Sequence, residues 1–204
     1  MPKPFTPEEK DIINKSLIEK GTKIFGKYGL KKTNVEDLTK AVGIAKGSFY
    51  NFYKSKEDLF VEVIKQSQYK LIKEMQDIIS KMKQSPKETF KEFLRFHFRA
   101  PKEHPIINQI TDKAIRDHLT RKLYDKSELK QMMQTYEYIP QFIKTWQKKG
   151  WIIKKDAKIL AGMLKSLFTI GMDEETIVYI GKENYPEILE NLIEVMADYM
   201  ITSE

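Results

Sequence analysis

The sequence predicts an all-α fold of about nine helices, with a small N-terminal head joined by a long helix to a larger helical body. Three observations carry this. Apolar residues recur at helical spacing almost throughout the 204 residues. Period-2 alternation of β-branched residues is confined to Trp151-Ile152-Ile153 and Thr176-Ile177-Val178-Tyr179-Ile180, both short and both at helix ends. Thr-Pro, Ser-Pro and Gly signals fall where helices should start and stop.

Thr6-Pro7-Glu8-Glu9 opens the first helix, which carries Ile13, Leu17, Ile24, Phe25 and Tyr28 on one face and is closed by Gly29. A short second helix spans Thr33 to Val42 and ends at Gly43. A third is expected from about Ala45 to Tyr53, two turns long. The fourth starts near Ser55 and continues past Met75 on Leu59, Phe60, Val63, Ile64 and Leu71. Ser85-Pro86 begins the next, and the remaining helices are expected over roughly 86–100, 105–123, 126–149, 155–171 and 185–202. Pro140 should kink or break the 126–149 stretch.

Composition narrows the chemistry. There is no cysteine, which removes disulfides, thiolate metal sites and cysteine nucleophiles. The chain carries 36 Lys+Arg against 29 Asp+Glu, a formal charge of +7. Residues 1–60 hold 12 Lys against 8 acids, so the head is the more densely basic part. The longest uncharged run, His104 to Thr111, is far too short to span a bilayer, and Met1 to Pro7 lacks the apolar core of a signal peptide. The expectation is a cytoplasmic protein without a membrane partner.

Thr33 to Tyr53 reads as a helix-turn-helix. Thr33 or Asn34 can cap the first helix, and Gly43 supplies the left-handed backbone of a tight turn. Leu38, Val42 and Ile44 form the buried angle, with Phe49 and Phe52 behind. The second helix then exposes Lys46, Gly47, Ser48, Tyr50, Asn51 and Tyr53. Amides and hydroxyls can read base edges, cations and phenols can hold phosphates, and glycine permits close backbone approach.

Phe25-(x)3-Gly29, Thr33, Asp37-Leu38, Gly43-Ile44-Ala45-Lys46-Gly47-Ser48-Phe49-Tyr50, Phe52-Tyr53 and Lys56-Glu57-Asp58-Leu59-Phe60 together resemble the N-terminal domain of the TetR family of transcriptional regulators. The likeness runs from about Ile12 to Val63, a quarter of the chain. Thr39 stands where the family usually has Ala, and Lys54 where Pro or a small residue is common. The resemblance implies that residues 1–55 bind a double-stranded DNA operator and that 56–204 bind an effector and dimerise. It implies Thr33 and Asn34 near a phosphate at the start of the first motif helix, and Lys46, Gly47, Ser48 and Asn51 in the major groove. Tyr50, Tyr53 and Lys56 would clamp the backbone, although Tyr53 could equally be core; Lys31-Lys32 and Lys54 could be phosphate contacts or a solvated face.

Other chemistry finds little support. Gly21 to Lys27 fits part of a phosphate-binding loop, but Tyr28 replaces its Ser/Thr and no strand precedes it. His97 and His104 are separated by Pro101, and no acid stands three or four residues from His97, so no metal site is expected. No catalytic motif is visible, and neither enzyme activity nor a cofactor is expected.

In the body, large apolar side chains are first of all a bundle core. The resemblance also implies a cavity for an apolar or aromatic effector, with Phe93, His97, Met133, Tyr136, Trp146, Met163 and Leu167 as candidate walls. Leu160 and Leu164 on one helix, and Ile188, Leu192, Val195, Met196 and Tyr199 on the last, are candidates for a homodimeric four-helix interface. The reading is a dimeric, ligand-responsive regulator, a repressor, released from a palindromic operator by its effector. The alternatives are a DNA-binding regulator without an effector, and a helical small-molecule-binding protein or enzyme.

Overall fold

The computed structural model describes residues 5–123 and 139–202. Among them the chain forms eleven α helices: α1 Pro7–Lys32, α2 Val35–Val42, α3 Lys46–Phe49, α4 Lys56–Ile79, α5 Pro86–Glu103, α6 Pro105–Asn108, α7 Lys113–Lys122, α8 Ile139–Lys148, α9 Ala157–Gly171, α10 Glu174–Ile180 and α11 Tyr185–Met200. One 3-10 turn, Gln109–Thr111, lies between α6 and α7. The β structure of the described residues is an isolated bridge, Ile152 to Ile201. No helix among them is long and apolar enough to cross a membrane.

The helix starts follow local chemistry. At α1 the Thr6 hydroxyl accepts from the Glu9 backbone N–H at 3.2 Å while the Glu9 carboxylate accepts from the Thr6 N–H at 2.8 Å. Gly29 takes φ +77°, so the regular helix is interrupted there and one further turn runs to Lys32. The expected 105–123 helix is broken into three pieces. It starts at Pro105 as expected, separated from α5 by His104, which precedes a proline and is pushed out of the helical region to φ −125° and ψ 68°. Pro101 itself is accommodated in the last turn of α5. Thr176–Ile180, strand-like in composition, is helical: the Asp173 carboxylate accepts from the Thr176 N–H at 2.8 Å and hydroxyl at 2.7 Å, capping α10. Of the expected 126–149 helix, the described part is α8, Ile139–Lys148, which includes Pro140; the stretch before Ile139 lies outside the described residues.

Packing divides the described chain into two compact units. The first comprises the described residues to Lys70 with those of 103–123, the second Leu71–Lys102 with those from 139 onward. In the first, Leu17, Phe25, Leu30, Leu38, Phe49 and Phe60 share one buried cluster with Ile106, Ile110, Ile115 and Leu119. That shared cluster is why the segment after α5 belongs with the head. Phe25 meets Phe60 edge-on at 5.2 Å, and a Cβ on Gly21 would lie 3.3 Å from Val63, so the glycine admits a close approach of α1 to α4. Tyr28, expected on the buried face of α1, is instead half exposed with the Lys27 ammonium over its ring. Within the same unit Glu57 is buried, and His118 Nε2 donates to it at 2.9 Å. Burial alone would raise the Glu57 carboxyl pKa; the His118 hydrogen bond, a backbone N–H and the Lys56 charge more than offset this and hold it below its ordinary value.

The second unit is built on aromatic rings. Trp146 meets Phe90 edge-on at 6.0 Å and Phe93 at 5.2 Å, and His97 stacks on Phe168 at 4.4 Å. Along its surface, basic residues of α5 face acids of α11. Lys87 pairs with Glu194 and Asp198, Lys91 with Glu88 and Glu194, and Arg95 donates to both oxygens of Glu190. Hydrogen bonds from Lys87 and Lys91 pull the Glu194 carboxyl down to about 2. A carboxyl whose pKa falls on folding stabilises above its unfolded value and ceases to do so as pH drops through its folded value. Melting temperature should therefore fall as pH is lowered from about 4.5 toward 2, and Glu194→Gln should flatten that limb of the profile.

Candidate nucleic-acid interface

The helix-turn-helix is assembled from three local devices. Asn34, not Thr33, caps α2: its side-chain oxygen accepts from the Asp37 N–H at 2.9 Å, and the Asp37 carboxylate accepts from the Asn34 N–H at 3.1 Å. Gly43 ends α2 at φ 80° and ψ 30°, with its own N–H and that of Ile44 both donating to the Thr39 carbonyl. No atom lies within 4 Å of a Cβ placed there, so the turn needs glycine for backbone conformation and not for space. Phe49 then drives α3 inward: it is fully buried and touches Tyr50 and Tyr53 edge-on and tilted. Leu38 is likewise buried, with Val42, Ile44 and Phe52 packed partly against the same cluster.

α3 is shorter than expected. Lys46–Phe49 form a single α turn, and Asn51 N–H to Ser48 and Tyr53 N–H to Phe49 carry the chain through a further turn without a regular helix. Its N-cap, Ala45, has no side-chain acceptor. The outward residues are nevertheless those the sequence singled out. Lys46, Gly47, Tyr50 and Asn51 are exposed and Ser48 is half-buried. Nothing lies within 4 Å of a Cβ on Gly47, so its surface is open to another molecule's backbone. Asn34 is also exposed, although its side-chain oxygen is spent on the cap.

Three expected contacts are engaged in the fold instead. Thr33 is buried at 1% exposure, and its hydroxyl donates to the Gly29 carbonyl at 2.8 Å, ending α1. The break at Gly29 turns it inward. The Tyr53 hydroxyl donates to the Asn14 side-chain oxygen at 2.7 Å, and burial pushes its phenol up to about 12. Lys56 Nζ donates to the Leu30 and Thr33 carbonyls at 2.9 and 2.6 Å, satisfying the open end of α1. Its ammonium serves as a C-terminal cap, not as a free phosphate clamp. Spacing alone could not reveal this, because the carbonyls lie more than twenty residues away in sequence. Sequence reasoning also missed Glu36, which pairs with Lys46 at 2.8 Å across the turn.

In the second unit, Phe93 and Trp146 are 2% exposed and Leu167 is buried, all within the aromatic core, with Met163 packed against it. His97 Nδ1 donates to the Phe93 carbonyl at 2.8 Å, and burial among Phe93, Phe96 and Phe168 pushes its imidazole down to about 4. Met133 and Tyr136 lie outside the described residues. On α11, Ile188, Leu192, Val195 and Tyr199 form an exposed apolar stripe with Met196 half-buried beside it. Leu160 and Leu164, however, are fully buried in their own unit. The exposed apolar residues of α9 are Ile159 and Ile170, so the outward face of that helix is not the one periodicity suggested.

Residues 17–63 match the model of the bacterial regulatory proteins of the TetR family. Over 162 residues, 76% of this chain and 79% of the relative, the sequence is 28% identical to the uncharacterised HTH-type transcriptional regulator YhgD of Bacillus subtilis. It is 36% identical over 62 residues, 30% of each chain, to the HTH-type transcriptional repressor KstR2 of Mycolicibacterium smegmatis. The crystal structure of a TetR-family regulator from Mesorhizobium loti superposes with a TM-score of 0.67 at 16% identity, covering 97% of this chain and all of that one.

Proposed function

Because the chain belongs to the TetR family of bacterial transcriptional regulators, which are not enzymes, we propose that it is a dimeric repressor that binds a palindromic operator in the cytoplasm and leaves it when a small effector binds. The observation that carries DNA recognition is the open surface of Lys46, Gly47, Ser48, Tyr50 and Asn51 on a turn anchored by buried Phe49. The head that recognises DNA is 1–55, and effector binding and dimerisation fall to 56–204. Repression is drawn from KstR2, a relative named a repressor. The exposed stripe Ile188, Leu192, Val195 and Tyr199, with Ile159 and Ile170 on α9, supports a two-fold partner surface. Phe93, His97, Trp146, Met163 and Leu167 are the group an apolar or aromatic effector would have to part, with Met133 and Tyr136 as further candidates. An effector works as a switch only if it binds one head spacing more tightly than the other. A regulator with no effector is the second reading, favoured by the tight ring contacts of Trp146 with Phe90 and Phe93.

Mobility shift on the protein's own promoter region tests the first step, and absence of sequence-selective retention on any genomic fragment would reject the reading. Lys46→Ala should weaken operator binding and reduce the salt slope by about 1, as loss of one phosphate contact does. Tyr50→Phe, which removes one hydroxyl, should cost roughly 1 kcal/mol, about fivefold in affinity. Both variants should keep the wild-type melting temperature and dimer mass. Loss of retention on adding a small molecule would separate the effector-dependent reading from the second.

A further inference from the structure

Lys46 is the single cation between Ala41 and Tyr53, the stretch that ends α2 and forms the turn and α3. Its Nζ lies 2.8 Å from Glu36 Oε1, ten residues back and on the other side of the Gly43 turn. The two acids opening α2 have different tasks. Asp37 closes the capping box with Asn34, whereas Glu36 has its carboxylate on Lys46. Both members of the pair stay open to water, with side chains 56% and 68% exposed, so this is no buried structural tie. The hydrogen bond and charge of Glu36 raise the Lys46 pKa, so the lysine is charged at any physiological pH. A surface ion pair of this kind is worth little and exchanges readily for another anion.

We infer that Glu36 is a discrimination residue: its carboxylate competes with DNA phosphate for Lys46, so that a duplex lacking the right base edges gains little from the recognition turn. This rests on the DNA-binding reading above. On an operator, contacts from Gly47, Ser48 and Asn51 hold the turn in the groove while Lys46 moves from carboxylate to DNA. On an unrelated duplex the same exchange leaves Glu36 facing phosphates without those contacts, and the pair persists. Glu36 thus lowers non-specific affinity more than specific affinity, which is how repulsive elements create selectivity.

The test is fluorescence anisotropy on a random-sequence duplex across a salt series, using the full chain and the variants Glu36→Gln, Lys46→Gln and the double variant, each checked by thermal melting. Freeing one phosphate contact should steepen the log-affinity against log-salt slope by about 0.9 and tighten binding about fivefold near 0.15 M salt for Glu36→Gln. Both changes should vanish when Lys46→Gln is already present. Glu36→Asp keeps the charge but shortens the reach by one methylene, and should show part of the gain. If Glu36→Gln binds no tighter than wild type, or gains as much in the Lys46→Gln background, the inference fails while DNA binding stands. If no form binds any duplex, the DNA-binding reading fails and the inference with it.

Discussion

Trp146→Ala is expected to lower the unfolding free energy by about 3–5 kcal/mol and the melting temperature by roughly 10 °C. The indole is 2% exposed, edge-on to Phe90 and Phe93 and tilted against Phe142. Its removal forfeits both the transfer free energy of a large ring and the contacts of three neighbours. Those neighbours are rigid rings rather than flexible chains, so the cavity can collapse only partly. Trp146→Phe keeps an aromatic ring and should recover more than half of the loss. Thermal and denaturant unfolding check both; a loss below about 1 kcal/mol for Trp146→Ala would mean the ring is not a core element.

Phe49→Ala should act on stability and function together. Phe49 is the one fully buried side chain of α3, and that helix is a single turn without a side-chain N-cap. A four-residue helix cannot persist on backbone hydrogen bonds alone. Truncation should cost about 3–5 kcal/mol and, at temperatures where the chain is still folded, abolish selective DNA retention. The contrast with Tyr50→Phe is diagnostic. The neighbouring substitution alters a surface hydroxyl and should weaken binding with an unchanged melting curve. Mobility shift and thermal melting on the same two preparations distinguish loss of an anchor from loss of a contact.

What was legible in the sequence was local. Thr6 with Glu9, and Gly43, each act within a few residues, so residue type and spacing suffice to foresee them, and they narrow the α2 cap to Thr33 or Asn34. The buried Leu38 and Phe49 follow from the same reasoning. What was hidden depends on partners distant in the chain. Lys56 reads as an anion clamp at a helix start until the α1 carbonyls beside it are known. Thr33 reads as a surface cap until the break at Gly29 turns it inward. On α9, periodicity found an apolar stripe, but successive residues of a helix lie about 100° apart. Whether Ile159 or Leu160 faces the core is therefore decided by neighbours the pattern does not contain. Charge was also only partly read. The basic head is real, yet residues 139–158 hold six Lys against one Asp, a denser concentration than that of the first 60 residues.

The ion pairs that Lys87 and Lys91 of α5 make are shared rather than exclusive. Lys87 reaches Glu194 and Asp198, and Lys91 reaches Glu88 and Glu194. Loss of any one of these carboxylates leaves each lysine a remaining partner, so no single substitution among the acids strands a lysine. Such a surface can drift, one acid at a time, without passing through an unstable intermediate. The aromatic core around Trp146 has no such slack, because a ring there has no understudy. Among diverging copies of this chain, the charged seam should accordingly reshuffle its residues freely while the rings beneath it hold still.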